Sequence, residues 1–323
     1  ALTRMAQVAA AAFCPFIVGA APSLFGVDQF IDLASGADIT SFYRRPDFVR
    51  WHALQDQDDS RFIGITLPRV LMRLPYRSDD LRRRNGFCFE EDVTAPDGSG
   101  YLWGNAAFAF ASVAIRAFGQ YGWFAQIRGT ERDHESGGLV VGLPVHCFGT
   151  DRDGLAIKYS TDISLSDHQE KQFDELGFIP LMKCKDTDYS AFYGNSSLNS
   201  PRTYDRAAAS ANARLSAMLQ YILCVSRFAH FIKVIARDRV GSYAAAEEFE
   251  AFLNAWLAKF TSGNDDAGLE HKARYPLRSA SVQIREAPGK PGVFLSIIQL
   301  SPHFQLDQVV STFKLVTELP CNN

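Results

Sequence analysis

RFAHFIKVIARDRVGS (Arg227 to Ser242), then SVQIRE (Ser281 to Glu286) and VFLSIIQL (Val293 to Leu300), are the stretches on which the fold turns. From Arg206 to Arg239 the pattern is that of one long helix. Ser216, Gln220, Arg227, His230, Lys233 and Arg237 fall on a single arc of roughly 140°, and most of the remainder is apolar. Only a narrow stripe is left for water or for a charged partner. The two later runs read as apolar strands around a turn at Ala287 to Gly292, and SPHFQLDQVVSTFKLVTELP (Ser301 to Pro320) follows them. Strands this apolar must pair, in their own sheet or in a neighbour's.

Working outward, Ser242 is placed to cap a second helix with Phe249, Phe252, Leu253, Trp256, Leu257 and Phe260 on one face. TSGNDDAG (Thr261 to Gly268) reads as a flexible link. Upstream, a helix runs from Ser166 to Leu176 and is closed by Gly177. A loop-rich passage with one short strand then continues to Pro201. Strands are expected near Trp123 to Ile127, Leu139 to Phe148 and Ala156 to Tyr159, with DRDG (Asp151 to Gly154) as the hairpin turn between the last two. Gly104 to Phe118 reads as a buried helix with small residues for close packing. Ile63, Ile65 and Leu67 alternate as a strand does. Pro46 suits the first turn of a short helix reaching Leu54. The class is therefore α/β or mixed α+β. Three regions divide it: a helical part at 1–60, a mixed β-rich middle at 61–205, and helices with closing strands at 206–323.

The bulk numbers exclude several roles. Of 323 residues, 47% are hydrophobic and 21% charged, which is ordinary globular composition with room for a sizeable core. Net charge is −3, so nothing points to nucleic acid or to an acidic membrane surface. The 25 Phe favour either a heavily packed interior or large subunit interfaces. Six cysteines (Cys14, Cys88, Cys147, Cys184, Cys224, Cys321) show no CxxC and no pairing rhythm. They read as free, mostly buried thiols of a reducing compartment, the cytoplasm. No apolar run reaches the ~20 residues that span a bilayer, so no membrane insertion is expected. The opening ALTRMAQVAAAAFCPFIVGAAPS imitates a signal peptide. However, Met5, Val8, Ala9, Ala12 and Phe13 recur at helical spacing up to Pro15, which reads as a fragment opening inside an amphipathic helix.

Signatures of chemistry fail one by one. There is no GxxxxGK[ST] and no GxSxG, and His134-Glu135 lacks the second histidine of HExxH. GSGYLWG (Gly98 to Gly104) has its third glycine one residue late and no strand leading in. DRDG lacks the ligands of a calcium loop. Asp186 and Asp188 could hold a magnesium ion, but Asp is common in such loops for local hydrogen bonds. His230 could serve as a general base, although a hydrogen-bonded structural or partner-facing histidine is the plainer reading. The stripe of Arg227, His230, Lys233 and Arg237 either docks an acidic partner helix or is paired within the fold. Arg82 to Arg84 sit beside Asp79 and Asp80, a solvated face. His303 and Gln305 read as buried and hydrogen-bonded. No metal and no cofactor is expected. An enzyme of the α/β hydrolase type would need Asp186, Asp188 and His230 to converge on a small molecule.

Several blocks together resemble one known family. They are LPRVLMRLPYR (Leu67 to Arg77), YLWGNAAFAFA (Tyr101 to Ala111), GGLVVGLPVHCF (Gly137 to Phe148), GFIPL (Gly177 to Leu181), the RFAHFIKVIARDRVGS helix, ARYPLRSASVQI (Ala273 to Ile284) and SPHFQLDQVVSTFKLV (Ser301 to Val316). In this order they are similar to the large subunit of the type VI secretion contractile sheath (TssC/VipB). The resemblance implies a structural, non-enzymatic protein with a phage tail sheath-like fold. Such a protein polymerises with a small sheath subunit into a helical tube around an inner tube, stands on a baseplate, and contracts. An AAA+ unfoldase that dismantles contracted sheath would bind an N-terminal segment which this sequence lacks. Subunits of the family link by intermolecular β-augmentation, which makes 206–323 the inner, linking domain. The interface candidates are then Val282, Ile284, Phe294, Leu295, Ile297, Ile298, Phe313 and Leu315.

Overall fold

The computed structural model describes residues 1–35, 38–78, 89–95, 98–130, 135–146, 160–184, 187–238, 246–264, 266–286, 294–303 and 313–319. The expected DRDG turn, the Ala156 to Tyr159 strand, the Ala287 to Gly292 turn, and Ser242, Asp186 and Gln305 lie outside them.

Local chemistry sets most element ends. Helix α1 (Leu2–Ala12) stops where Phe13 adopts φ 50° and its N–H turns back onto Ala10 and Ala9 carbonyls. Strand β1 (Phe16–Gly19) follows. Asp38 caps α2 (Ile39–Tyr43) by accepting the Ser41 N–H at 3.1 Å, and Pro46 opens a 3-10 turn into α3 (Val49–Gln55). After β2 (Ile63–Leu67), β3 (Val70–Leu71) and β4 (Trp103–Gly104) make a small antiparallel ladder. Asn105 caps α4 (Ala106–Tyr121), and Gly122 at φ 77° ends it. Beyond β5 (Leu139–Val140), Ser166 and Gln169 form a reciprocal capping box on α5 (Asp167–Glu175). Strands β6 (Ile179–Lys183) and β7 (Ser190–Phe192) come next. The remaining helices are α6 (Ala207–Ser216), α7 (Leu219–Asp238), α8 (Ala246–Ala258) and α9 (Leu269–Arg274). Then come β8 (Leu277–Glu286), β9 (Phe294–Pro302) and β10 (Phe313–Leu319).

A five-stranded mixed sheet, ordered β1-β2-β6-β7-β5, organises the first two thirds of the chain. β1, β2 and β6 run parallel, and β7 is antiparallel to both β6 and β5. One core beside it is aromatic, with Phe25, Phe30, Tyr43, Phe173 and Phe178 buried together. The other is formed where α4 brings Ala109, Phe110 and Val113 against Ile179, Leu181, Phe192 and Leu219. All five positions of β2 are buried, so it is a central strand rather than the half-exposed one its alternation suggests. Gly64 explains why: a Cβ there would collide with the Leu219 side chain, so the glycine lets the start of α7 close onto the strand.

The second sheet is antiparallel and ordered β10-β9-β8. Phe228 of α7 and Leu253 and Leu257 of α8 pack against Leu277, Val282, Ile298 and Leu300. Helix α7 has the length and apolar composition to cross a bilayer, but 61% of that window is buried inside the fold, as in a core helix.

Three sequence readings are corrected. No strand forms at Trp123 to Ile127. Trp123 instead leaves the first unit and stacks on Phe228, 4.2 Å between ring centroids, so its apolarity serves anchoring rather than a ladder. Of the expected strand from Leu139 to Phe148, only Leu139–Val140 pairs as strand among the described residues. The long helix breaks at Ala217 and Met218. The segment after β7 takes the backbone groups there: Ser197 N–H donates to the Ala217 carbonyl and Leu219 N–H donates to Asn195, both at 2.9 Å. Gln220 is consequently buried, accepting from Asn195 Nδ2 at 3.2 Å, and it leaves the water-facing arc.

Candidate assembly interface

A strand at the edge of a sheet offers unpaired N–H and C=O groups to any other chain. The C-terminal sheet has two such strands, β8 and β10, and the fold treats β8 in a distinctive way. The Asn254 carboxamide accepts the Val282 N–H at 2.9 Å and donates to the Val282 carbonyl at 3.1 Å. One turn earlier on α8, the Glu250 carboxylate accepts the Ile284 N–H at 2.8 Å. At the start of β8, Leu277 N–H donates to Phe260 and its carbonyl accepts from Ser262. The outward backbone of β8 is thus occupied by its own chain at Leu277, Val282 and Ile284. β10 is the other outer strand among the described residues.

The register fixes which β10 groups face out. Val282 sits opposite Ile298 but bonds away from it, so in an antiparallel ladder Ile298 bonds toward β10, where Leu315 is its partner. Alternation then points the N–H groups of Lys314, Val316 and Glu318 away from β9.

The side chains singled out from sequence fall into different places. Val282 and Ile298 are 2% and 1% exposed and belong to the core beneath the sheet, with Ile284 partly buried against it. Leu295 and Ile297 are half-buried. Phe294, Phe313 and Leu315 are ladder positions, opposite Glu286 and Leu319, Leu300, and Ile298 respectively.

The basic stripe is engaged along much of its length within the chain. The Arg227 guanidinium lies 4.3 Å from the Phe118 ring centroid and 4.7 Å from that of Phe231. His230 Nε2 is 2.8 Å from the Ala12 carbonyl at the end of α1, and Lys233 Nζ is 4.8 Å from the Phe13 ring. Lys233 and the His230 ring therefore meet the carbonyl end of α1, where the positive charge of the lysine is favoured. Arg237 lies 3.3 Å from its neighbour Asp238. His230 is thus held at α1, while Asp188 sits in the turn between β6 and β7, where Thr187 Oγ1 donates to Cys184 and accepts from Tyr189 N–H. Among the described residues no group of His, Cys, Asp and Glu is arranged to hold a metal ion. A surface cleft of about 430 Å³ between α4 and α9 is lined by Gln120, Tyr121, Glu135, Ser136, Leu269 and Glu270.

Sequence reasoning missed Asn254 and Glu250. The available signal was an amide beside the apolar face of α8, next to Leu253 and two residues before Trp256. It missed β1 as well, a four-residue strand hidden in the apolar stretch after Pro15.

Both halves of the chain match known tail sheath domains. Residues 1–199 match the EvpB/VC_A0108 tail sheath N-terminal domain, and residues 208–319 match the EvpB/VC_A0108 tail sheath gpW/gp25-like domain. Over 322 residues, 99% of this chain, the sequence is 40% identical to the type VI secretion system sheath protein TssC1 of Pseudomonas aeruginosa. The chain spans 63% of that relative's length. With two sheath domains matched in order and the identity running across their junction, the chain belongs to the type VI secretion tail sheath family, VipB/TssC.

Proposed function

We propose that this chain belongs to a structural large subunit of the type VI secretion sheath. With a small sheath subunit it polymerises in the cytoplasm into a helical tube around an inner tube, and contraction of that tube propels the inner one. Residues 206–323 form the linking domain in this reading, with 1–60 and 61–205 outside it. The baseplate anchors the tube, and an AAA+ unfoldase dismantles contracted sheath. No catalytic step and no cofactor is assigned.

The observation that carries the reading is the outer position of β10 among the described strands of the C-terminal sheet, in a chain of the sheath family. β8 has its edge occupied by Asn254 and Glu250, while β10 is an outer strand. Head-to-tail association by a non-closing rotation gives an open helical polymer, and β-augmentation supplies main-chain bonds for each joint. β10 is the edge suited to receive such a strand. Contraction then moves subunits as rigid bodies into contacts that bury more surface, with the energy stored at assembly.

The test is co-expression of the full-length protein with its small subunit, followed by ultracentrifugation. Polymer that pellets only when both subunits are present is the expected result. Material that stays as a discrete soluble particle under every condition contradicts it.

A further inference from the structure

On α7, Arg227 stands in a shallow bowl of apolar side chains. Phe118 and Phe231 flank its guanidinium, and Trp123 closes the floor at 5.8 Å. Ile115, one turn before Phe118, is 70% exposed, and Val234, one turn after Phe231, is 43% exposed. Phe118 and Phe231 themselves are 37% and 38% exposed. Scattered exposed hydrophobics are ordinary, but a contiguous set around one cation marks an interaction surface.

The cation is poorly compensated. Its Nε is sealed from water with no hydrogen-bond acceptor among the described residues. Desolvation draws its pKa down, and the Cys224 thiol is the group that opposes this. No described carboxylate forms an ion pair with it. A guanidinium offers five donors, and the aromatic faces beside it satisfy none of them as a carboxylate would. Lys233 adds positive charge farther along the same helix. Charge complementarity therefore favours an acidic partner segment at this face.

We propose that this bowl docks an acidic segment of a different protein, with one carboxylate reaching the Arg227 guanidinium and flanking apolar side chains covering Ile115, Phe118, Phe231 and Val234. The span from Arg227 to Val234 is about 10 Å along α7, so roughly two turns of a partner helix would cover it. The site is separate from the strand edges, and the inference holds whether or not the chain forms tubes.

The test places a photo-crosslinking amino acid at Val234 in the full-length protein, expressed with its native partners, and sequences the cross-linked peptide. The expected product is a peptide of another protein with Asp or Glu among apolar residues. Its yield should fall at least tenfold with Arg227→Gln and also with Ile115→Asp, an exposed change that leaves packing intact. Arg227→Glu should abolish it, and a Lys in place of the partner's carboxylate should restore it. A product formed with a second copy of this chain, with nucleic acid or with a non-acidic segment overturns the proposal. So does a yield that neither variant changes, or the absence of any intermolecular product.

Discussion

The carboxamide of Asn254 binds both backbone groups of Val282, accepting the N–H at 2.9 Å and donating to the carbonyl at 3.1 Å. A side chain thereby does for β8 what a neighbouring strand would do. Its second amide proton goes to the Glu250 carbonyl at 3.0 Å, which leaves the amide little freedom to turn away. This relationship closes part of the outer edge of β8.

Replacing Asn254 by Leu should therefore cost more than one surface hydrogen bond. Two backbone groups of a half-buried edge lose their partner, at about 1–3 kcal/mol for the buried polar groups left unpaired. Urea unfolding should report that loss, and sedimentation velocity should show new concentration-dependent association through the opened edge. Unchanged stability together with unchanged sedimentation would show that α8 does not guard β8.

Gly64 and Leu219 make a second specific joint. Gly64→Ala puts a methyl group into the Leu219 side chain, which is fully buried, and overpacking of this kind costs about 1–3 kcal/mol. Leu219→Ala should be destabilising alone, yet the double variant should lose less than the sum of the two. A double-mutant cycle measures this directly, and strict additivity would contradict the contact.

Trp123 ties the end of α4 to the C-terminal core. It stacks on Phe228 and meets Phe260 edge-on at 5.2 Å. Trp123→Ala should cost about 3–5 kcal/mol, whereas Trp123→Phe should retain most of the stability. Denaturant titration of both variants gives the comparison, and a loss below about 1 kcal/mol for the alanine variant would remove Trp123 from the core.

Asp162 gives a pH dependence with a definite sign. It accepts Arg69 N–H at 3.0 Å and Arg69 Nε–H at 2.8 Å, yet burial outweighs these bonds and pushes its pKa up to about 6. The folded chain then holds this proton more tightly than the unfolded chain does. Its contribution to stability is fully present below the ordinary carboxylate range and is lost as the pH rises through about 6. Measured against Asp162→Asn, wild-type stability should decline by up to about 3 kcal/mol between roughly pH 4 and pH 7. A difference that stays flat, or rises with pH, contradicts it.

Much of the fold could be read from local patterns. The Ser166 cap and Gly177 stop bound α5 because their chemistry is contained within a few residues. The apolar face of α8 and the strands at β8 and β9 were equally visible. What escaped depended on partners distant in sequence. Helix α7 is severed from α6 because the segment around Asn195 to Ser197 takes its backbone groups. Trp123 resembles a strand residue until Phe228 arrives beside it. The proposed interface divides in the same way. The apolar strands could be named from sequence, but Asn254 closing one edge rests on a contact between residues 28 apart.

The central claim is that copies of this chain join through the outer edge of β10. Val316→Pro tests it, since the Val316 N–H points away from β9 and proline is tolerated on edge strands. Negative-stain electron microscopy should be performed on the full-length protein co-expressed with its small subunit, wild type beside this variant. The account expects hollow tubes from the wild type, and folded, unassembled particles of unchanged circular dichroism from the variant. Discrete particles from the wild type, or equally abundant tubes from both, would contradict it.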